Sequence, residues 1–520
     1  MSRRIGIASL IWGVSILLSR VIGVVREAVI GRVLGGSGEA DVYWTAFVLP
    51  DFLNSLLAGG ALSIVFIPIF ARYLAEDRED QGWKSFSLIF NFCALLLLVF
   101  TGLLWAFTPR LAPLIGPGFD AEQLALLTRL TRIVLPAQIF HVLGGLLSAV
   151  LQAKDRHTLP AMANLGYTGF IIALGLWLGP TLGAEGFAWG VLAGSVVGPF
   201  GMPLVGCLMT RLSWSPRLSF KDPDFRRYLL LSVPIMMMFS VVVADDWLIK
   251  HFGSLVGEGV VSRLQYARTL MRVPMGVFGL AAGTAAYPTL SRLVAEGKPH
   301  EAFNTLIRAC RVLMVLALAS QVAFSVAGAE AAEVIWGTRR FTPADLSEIG
   351  LYTGTFCLGL GAWAAQSLVS RGFYAMQQTW MPSLLGSVVV IVAYPLYGLL
   401  ARELGGLGLT LASSLAITVY TAWMTVMLRR RMAGPDAPGL IDVVLRMIPA
   451  VLLSTAVGLG LREILPIPAL LRGAITGSVS LALCLGLARI FGVAEVSALT
   501  SRVRDIVLRR IRRAQPEKAP

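Results

Sequence analysis

Apolar residues run along this chain in long blocks, not in the alternating or narrow helical stripes of a soluble fold. A helix needs about 20 mostly apolar residues to cross the hydrocarbon core of a bilayer. By that measure the chain predicts fourteen spans. They lie near 6–33, 42–71, 85–108, 123–152, 159–178, 186–209, 228–249, 259–291, 304–328, 347–375, 382–401, 405–428, 440–461 and 473–492. The expected fold class is therefore an all-α polytopic membrane protein. The first block follows a basic start, Met1 to Arg4, as a signal peptide would. It outruns the roughly 7–15 apolar residues of such a leader, so it reads as a retained first span.

The polar gaps orient the spans. Of the 44 Lys and Arg residues, 24 fall in segments on the side of the N-terminus and 7 in loops on the other. The other 13 lie within spans. Basic residues accumulate on the cytoplasmic side, so both termini are expected in the cytoplasm of a bacterial cell, with the chain in the inner membrane. The basic amphipathic tail from Leu499 to Arg513 reads as a helix on the inner membrane surface, held by anionic lipid. Composition narrows the class further. The 520 residues are 56% hydrophobic and 14% charged, with a net charge of +14. An ordinary soluble domain is about 25% charged, so a multidomain soluble enzyme lacks the polar material here. A nucleic-acid partner would explain the charge and not the apolar excess.

The chain also repeats itself. Pro68, Arg72, Ala75 and Glu76 recur as Pro288, Arg292, Ala295 and Glu296, an offset of 220. Leu151-Gln152-Ala153 with Pro160 matches Phe373-Tyr374-Ala375 with Pro382, and Leu182 to Gly186 matches Leu404 to Gly408, both at an offset of 222. Six spans separate the copies, so both copies share one orientation, as in transporters built from parallel repeats. The expected organisation is a six-helix lobe over 1–210, a basic cytoplasmic linker over 211–227 and a second six-helix lobe over 228–431. Two additional spans over 432–492 and a basic tail over 493–520 complete it. Two parallel lobes facing each other across a cavity suggest alternating access.

Charges inside spans are costly and usually face water or a partner. Arg20 and Arg26 lie on the first span, about 120° apart around the helix. Arg268 and Arg272 stack at i, i+4 on the eighth span just before Pro274, with no acid between Gly259 and Val294. Arginine pairs suit bidentate phosphate binding, so these four are candidate anion ligands. The alternative for the eighth span is pairing with Asp245 and Asp246 on the seventh. Asp41, opening the second span, is placed to balance the first-span arginines. Asp51, beside Pro50, is a candidate gate or counter-ion, and Pro50 should free a backbone carbonyl.

Other chemistry is thin. Five cysteines and four histidines are scattered without metal-ligand spacing. No Walker A motif is present, and Asp222-Pro223-Asp224 is too short a signal for a metal-dependent glycosyltransferase. No metal, cofactor or nucleic acid is expected, and no loop is large enough for a catalytic domain.

Ser19-Arg20-Val21-Ile22-Gly23 with Arg26, then Asp41 and Ala46-Phe47 before Pro50, resembles the opening of the MurJ/MviN proteins. These belong to the multidrug/oligosaccharidyl-lipid/polysaccharide exporter superfamily. Tyr266-Ala267, Leu270-Met271, Pro274, Gly276, Gly283-Thr284 and Pro288 resemble the family's eighth helix. The resemblance implies a flippase for lipid II, the undecaprenyl-pyrophosphate-linked peptidoglycan precursor. It carries functional roles onto Arg20, Arg26 and Asp41, and a prenyl-tail groove onto the last two spans. Departures accompany it. The family's arginine after the second-helix proline and its following acid are replaced by Asn54-Ser55 and Gly59-Gly60. Thr269 stands at the eighth-helix arginine position, with Arg268 beside it and Arg272 at the usual acidic position. The sodium ligands of some relatives are lacking on the eleventh span, so no such site is expected.

The expected activity is lipid II flipping by Arg20, Arg26, Arg268 and Arg272, organised by Asp41, in a monomer that membrane potential could reset. The alternatives are export of another polyprenyl-linked glycan such as an O-antigen unit, a drug/cation antiporter, and a membrane-embedded glycan polymerase.

Overall fold

The computed structural model describes residues 18, 21–58, 61–219, 221–236, 241–378, 380–432 and 439–497. Among these the regular structure is helical. The helices are α1 (21–34), α2 (Gly38–Thr45), α3 (Val48–Ala58), α4 (Ala61–Ala75), α5 (Glu79–Ile115), α6 (Ala121–Val134) and α7 (Ala137–Ala153). Then come α8 (Thr158–Leu182), α9 (Ala184–Ser195), α10 (Met202–Met209), α11 (Pro223–Met236), α12 (Val241–Val256) and α13 (Val260–Ala295). The last six are α14 (Pro299–Trp336), α15 (Pro343–Leu358), α16 (Leu360–Ala375), α17 (Trp380–Met432), α18 (Ile441–Ile464) and α19 (Ala469–Ile490). Among the described residues, eight helical segments are long and apolar enough to span a bilayer. The 53-residue α17 holds two expected spans, joined at Gly405.

Proline placement explains several breaks. The expected second span is interrupted between α2 and α3. Pro50 cannot donate to Ala46, four residues back. The helix breaks there, and the buried Thr131 hydroxyl donates to the freed Ala46 carbonyl at 3.4 Å. Pro199 sits in a π-helical turn, Val196–Gly201, between α9 and α10. Gly144 of α7 packs against that turn so closely that a Cβ would collide with the Pro199 carbonyl. Pro274 does not interrupt α13. Asp222-Pro223-Asp224 starts a helix: Asp222 Oδ1 accepts from the amides of Asp224 and Phe225, each at 3.0 Å. Asp224 itself takes both Arg72 Nη2 and the Tyr73 hydroxyl.

The repeat recurs in the backbone. Glycine and turn residues with left-handed φ pair at the two offsets. Asp77 (φ 52°) matches Gly297 (φ 74°), and Asp155 (φ 57°) matches Gln377 (φ 60°). Gly183 (φ 55°, ψ −128°) matches Gly405 (φ 58°, ψ −136°). α5 and α14, 37 and 38 residues long, also start 220 residues apart.

The described chain divides into two compact units. The first contains the N-terminal residues through Thr269, with Ile335–Asp345 and Ser383–Leu409. Its core includes an aromatic run on α4 and α5, in which Phe66, Phe70, Trp83 and Phe86 pack with centroids 5.4–6.0 Å apart. The second contains Leu270–Val334, Leu346–Pro382 and the chain from Thr410 onward. In it α18 and α19 pack on α14 through Val315, Val322, Met447, Ala450 and Cys484. Ion pairs flank that core. Arg311 of α14 binds Glu495 and Asp442, and Glu330 binds Arg462 at 2.6 Å and Arg472 at 3.0 Å.

Candidate substrate-binding site

Arg26 and Arg32 lie on α1 about one and two-thirds turns apart. Arg26 Nη2 contacts Glu27 Oε1 at 2.6 Å. Glu27 is buried, and the Arg26 guanidinium pairs with its carboxylate. Arg26 Nε and Glu27 Oε2 have no hydrogen-bond partner among the described residues. The pair therefore keeps one donor and one acceptor in reserve. Aromatic side chains bound this region. Trp336 Nε1 donates to the Glu27 carbonyl at 3.1 Å, and the Trp336 ring packs on Tyr266 with centroids 4.9 Å apart. Tyr266 in turn donates to the Gly35 carbonyl at 2.8 Å and packs edge-on against Trp44. Gly31 permits the approach: a Cβ there would collide with Trp336.

Asp41 is 1% exposed. Its two oxygens accept from the amides of Gly259 and Ser262, each at 2.6 Å. Those donors flank the start of α13, Gly259 just before it and Ser262 in its first turn, where helix amides lack partners within the helix. Asp41 thus caps α13 from α2, where the sequence suggested that it balances the first-span arginines. Glu258 returns the favour by accepting from the Gly38 amide, at the start of α2, at 2.9 Å. Gly38 and Glu258 are 220 residues apart, so the two repeat-related helix starts cap one another. Arg263, one turn into α13, pairs with Asp345 at 2.7 Å.

The second charged cluster joins α12, α13 and α17. Arg268 is 4% exposed. It binds Asp245 and Asp246, the latter at 2.9 Å. Asp246 also takes Lys250 at 2.6 Å, and Asp245 takes the Tyr397 hydroxyl. Two acids and two bases thus compensate each other. The acid partners proposed from sequence as the alternative for Arg268 are the ones it has. Arg272, one turn further along α13, is exposed. Asp51 is exposed in the first turn of α3. Arg20 lies outside the described residues.

So the structure joins Asp245, Asp246 and Arg268, and sets Asp41 against the backbone amides at the start of α13. Sequence reasoning missed Glu27, Lys250, Glu258 and the Trp336–Tyr266 stack. For the first two, a signal was present: Glu27 adjoins Arg26, and Lys250 stands four residues after Asp246, the spacing of a helical ion pair. The other two depend on contacts between distant segments, which no local pattern carries.

The family model described as "Lipid II flippase MurJ" matches residues 30–468. The chain is 28% identical over 448 residues to "Lipid II flippase MurJ" of Burkholderia cenocepacia, covering 84% of this chain and 86% of that protein. It is 28% identical over 428 residues to "Probable lipid II flippase MurJ" of Rhizobium tropici, covering 81% and 80%. Its fold is similar to the solved "Lipid II flippase MurJ, inward closed conformation", with a TM-score of 0.75 at 21% identity over 93% of this chain and 98% of that one. It is also similar to an inward-facing multidrug resistance MATE family transporter of the MOP superfamily, with a TM-score of 0.66 at 14% identity over 80% and 94%.

Proposed function

The chain belongs to the lipid II flippase MurJ family, and from that premise we propose how it handles its substrate. It is a multi-pass membrane transporter, not an enzyme, and it flips lipid II for peptidoglycan synthesis. The direction proposed is from the inner to the outer leaflet of the bacterial cytoplasmic membrane, with both termini cytoplasmic. The positive-inside bias of the loops supports that orientation.

Lipid II presents a pyrophosphate, and its binding needs cationic donors in a site that the headgroup can reach. Arg26 supports this reading best. Its Nε is buried and has no partner among the described residues, while Nη2 rests on Glu27. Once the site opens to the headgroup, a pyrophosphate oxygen can take the spare donor without breaking the pair. Arg20 and the exposed Arg272 are proposed as further ligands. Arg268 is proposed to act once its acids release it, and until then it positions α13 against α12. Asp41 is proposed to hold the starts of α2 and α13 together in the state seen here and to release them during alternating access. Membrane potential is proposed to favour return of the empty transporter, because each charge moved through 100 mV gains about 2.3 kcal/mol.

The test is rescue of a bacterial strain depleted of its own lipid II flippase. Growth should return with the wild-type chain and fail with Arg26→Ala at equal membrane abundance. Failure of the well-expressed wild-type chain, with export of an O-antigen unit in its place, would assign a different polyprenyl-linked glycan. Flipping that is unchanged when the potential is collapsed would remove the proposed reset.

A further inference from the structure

A cleft of about 980 Å³ lies within the first compact unit, between the end of α12 and the middle of α17. Phe252, Leu255, Val256, Pro395 and Leu399 give it apolar walls, and Arg402 is its one charged lining residue. The volume suits an amphiphile or other small ligand, whose sites span about 300–1,000 Å³. Glycine makes the space. Gly398 and Gly405 line the cleft without side chains, and a Cβ on Gly398 would meet the Phe252 ring at 3.1 Å.

The internal repeat shows what this place holds in the other half of the chain. There the loop equivalent to Gly405 is at Gly183, with nearly the same φ and ψ. Glu39 closes it: Glu39 Oε1 accepts from the Ala184 amide at 2.7 Å. At the offset of 220 that relates Gly38 to Glu258, the residue matching Glu39 is Gly259, which has no carboxylate. At the offset of 222 that relates Gly183 to Gly405, the residue matching Arg402 is Pro180. The second half thus lacks the carboxylate that closes this turn in the first, and carries Arg402 and Glu403 where the first half has Pro180 and Thr181. Arg402 is exposed, as is the neighbouring Glu403, and no ion pair holds Arg402 among the described residues.

We propose that this cleft binds an anionic phospholipid. An acyl chain lies against Phe252, Leu255, Pro395 and Leu399, and the phosphate sits on Arg402. The guanidinium offers two parallel donors to phosphate oxygens. Ile391 and Val392 are exposed on the same helix, as is Leu399 at the cleft. An exposed apolar surface of this kind faces lipid in a membrane protein, so an acyl chain reaches the cleft without crossing polar surface. The proposal does not depend on the transported substrate.

The test uses the full-length protein in nanodiscs with a phosphatidylglycerol that carries a photoreactive group in its acyl chain. Labelled peptides are mapped by mass spectrometry. Labelling should concentrate within 252–256 and 395–405, and excess phosphatidylglycerol should compete where phosphatidylcholine does not. Arg402→Gln, at an exposed position, should lower this labelling about fivefold without changing melting temperature. Gly398→Leu should abolish it by filling the cleft. Uniform labelling of the apolar exterior would overturn the proposal, as would equal competition by phosphatidylcholine or no effect of Arg402→Gln. Stronger competition by undecaprenyl pyrophosphate would overturn it too, by assigning the cleft to a prenyl lipid.

Discussion

Replacing Asp41 with alanine removes both acceptors from the start of α13 and leaves the Gly259 and Ser262 amides buried without partners. The two bonds, each 2.6 Å long, are made to a carboxylate 1% exposed. A hydrogen bond to a charged group contributes about 1.5–3 kcal/mol. Loss of a side-chain cap costs about 0.5–2 kcal/mol. The second figure already contains part of the first, so the combined cost at this helix start is about 2–4 kcal/mol. One factor of ten corresponds to about 1.36 kcal/mol, which makes the expected loss of protection about 30- to 1,000-fold. Hydrogen exchange at the amides of Gly259 and Ser262, in the full-length protein, reads it directly. Asp41→Asn keeps one acceptor and should fall between the wild type and Asp41→Ala. Flipping should follow the same order, because the same bonds hold α2 to α13. If Asp41 instead organises the first-span arginines, alanine and asparagine will both stop transport while these amides stay protected. Protection within about threefold of wild type in Asp41→Ala would refute the capping account.

Three further outcomes follow from the ion pairs. Arg268→Gln strands Asp245 and part of Asp246 in a buried site, and breaking such a pair costs about 3–5 kcal/mol. Melting temperature should fall clearly, and Asp245→Asn in the same chain should restore part of it. Arg292→Gln should do neither, since that side chain is 70% exposed and 3.8 Å from Glu296. Glu330→Gln removes the charge shared by Arg462 and Arg472. Hydrogen exchange in 441–464 and 469–490 should rise in that variant while exchange in α5 stays unchanged. Finally, burial alone would raise the Glu79 carboxyl, but hydrogen bonds from Lys154 and Trp83 and the charges of Lys154 and Arg211 hold it below the usual carboxylate range. A depressed folded value gives stability that is present above the unfolded pKa of about 4.3 and lost as pH falls through the folded value. The melting-temperature gap between wild type and Lys154→Met should therefore be widest near neutrality and shrink below about pH 4. A gap that does not change with pH would contradict the Glu79–Lys154 account.

Element positions were legible because the bilayer imposes a length on each helix. The expected span at 159–178 lies within Thr158–Leu182, the one at 440–461 starts one residue before Ile441–Ile464, and the one at 473–492 ends two residues after Ala469–Ile490. The duplicated Gly183 and Gly405 turns were visible as the matching stretches Leu182 to Gly186 and Leu404 to Gly408. The second span was less legible, since hydropathy does not register the missing Pro50 donor and its replacement by Thr131. The candidate site was legible as a set of residue types and not as a set of partners. Arg268 read as unshielded because no acid occurs nearby on its own helix, yet its acids lie one helix earlier. Asp41 read as a counter-ion because arginines precede it, yet it binds backbone amides, which carry no sequence signature at all.

The repeat separates what the backbone needs from what the chemistry needs. The turns at Asp77 and Gly297, and at Asp155 and Gln377, all keep a left-handed φ although the residues differ. A turn tolerates such exchange when its geometry alone matters. The charged positions of α1 and α12 behave in the opposite way. At the 220-residue offset, Arg26 corresponds to Asp246 and Val25 to Asp245. One half thus places a base on this helix and leaves a guanidinium nitrogen without a partner. The other places two acids and satisfies them with Arg268 and Lys250. Two halves that served the substrate alike would have no reason to invert charge on a preserved backbone. The inversion fits the proposed division of tasks: the Arg26 half would offer a donor to an anion, while the Asp246 half satisfies its charges internally. Anion recognition should therefore depend more on α1 than on the buried part of α13, which is the ordering that Arg26→Ala and Arg268→Gln, compared at equal abundance, would reveal.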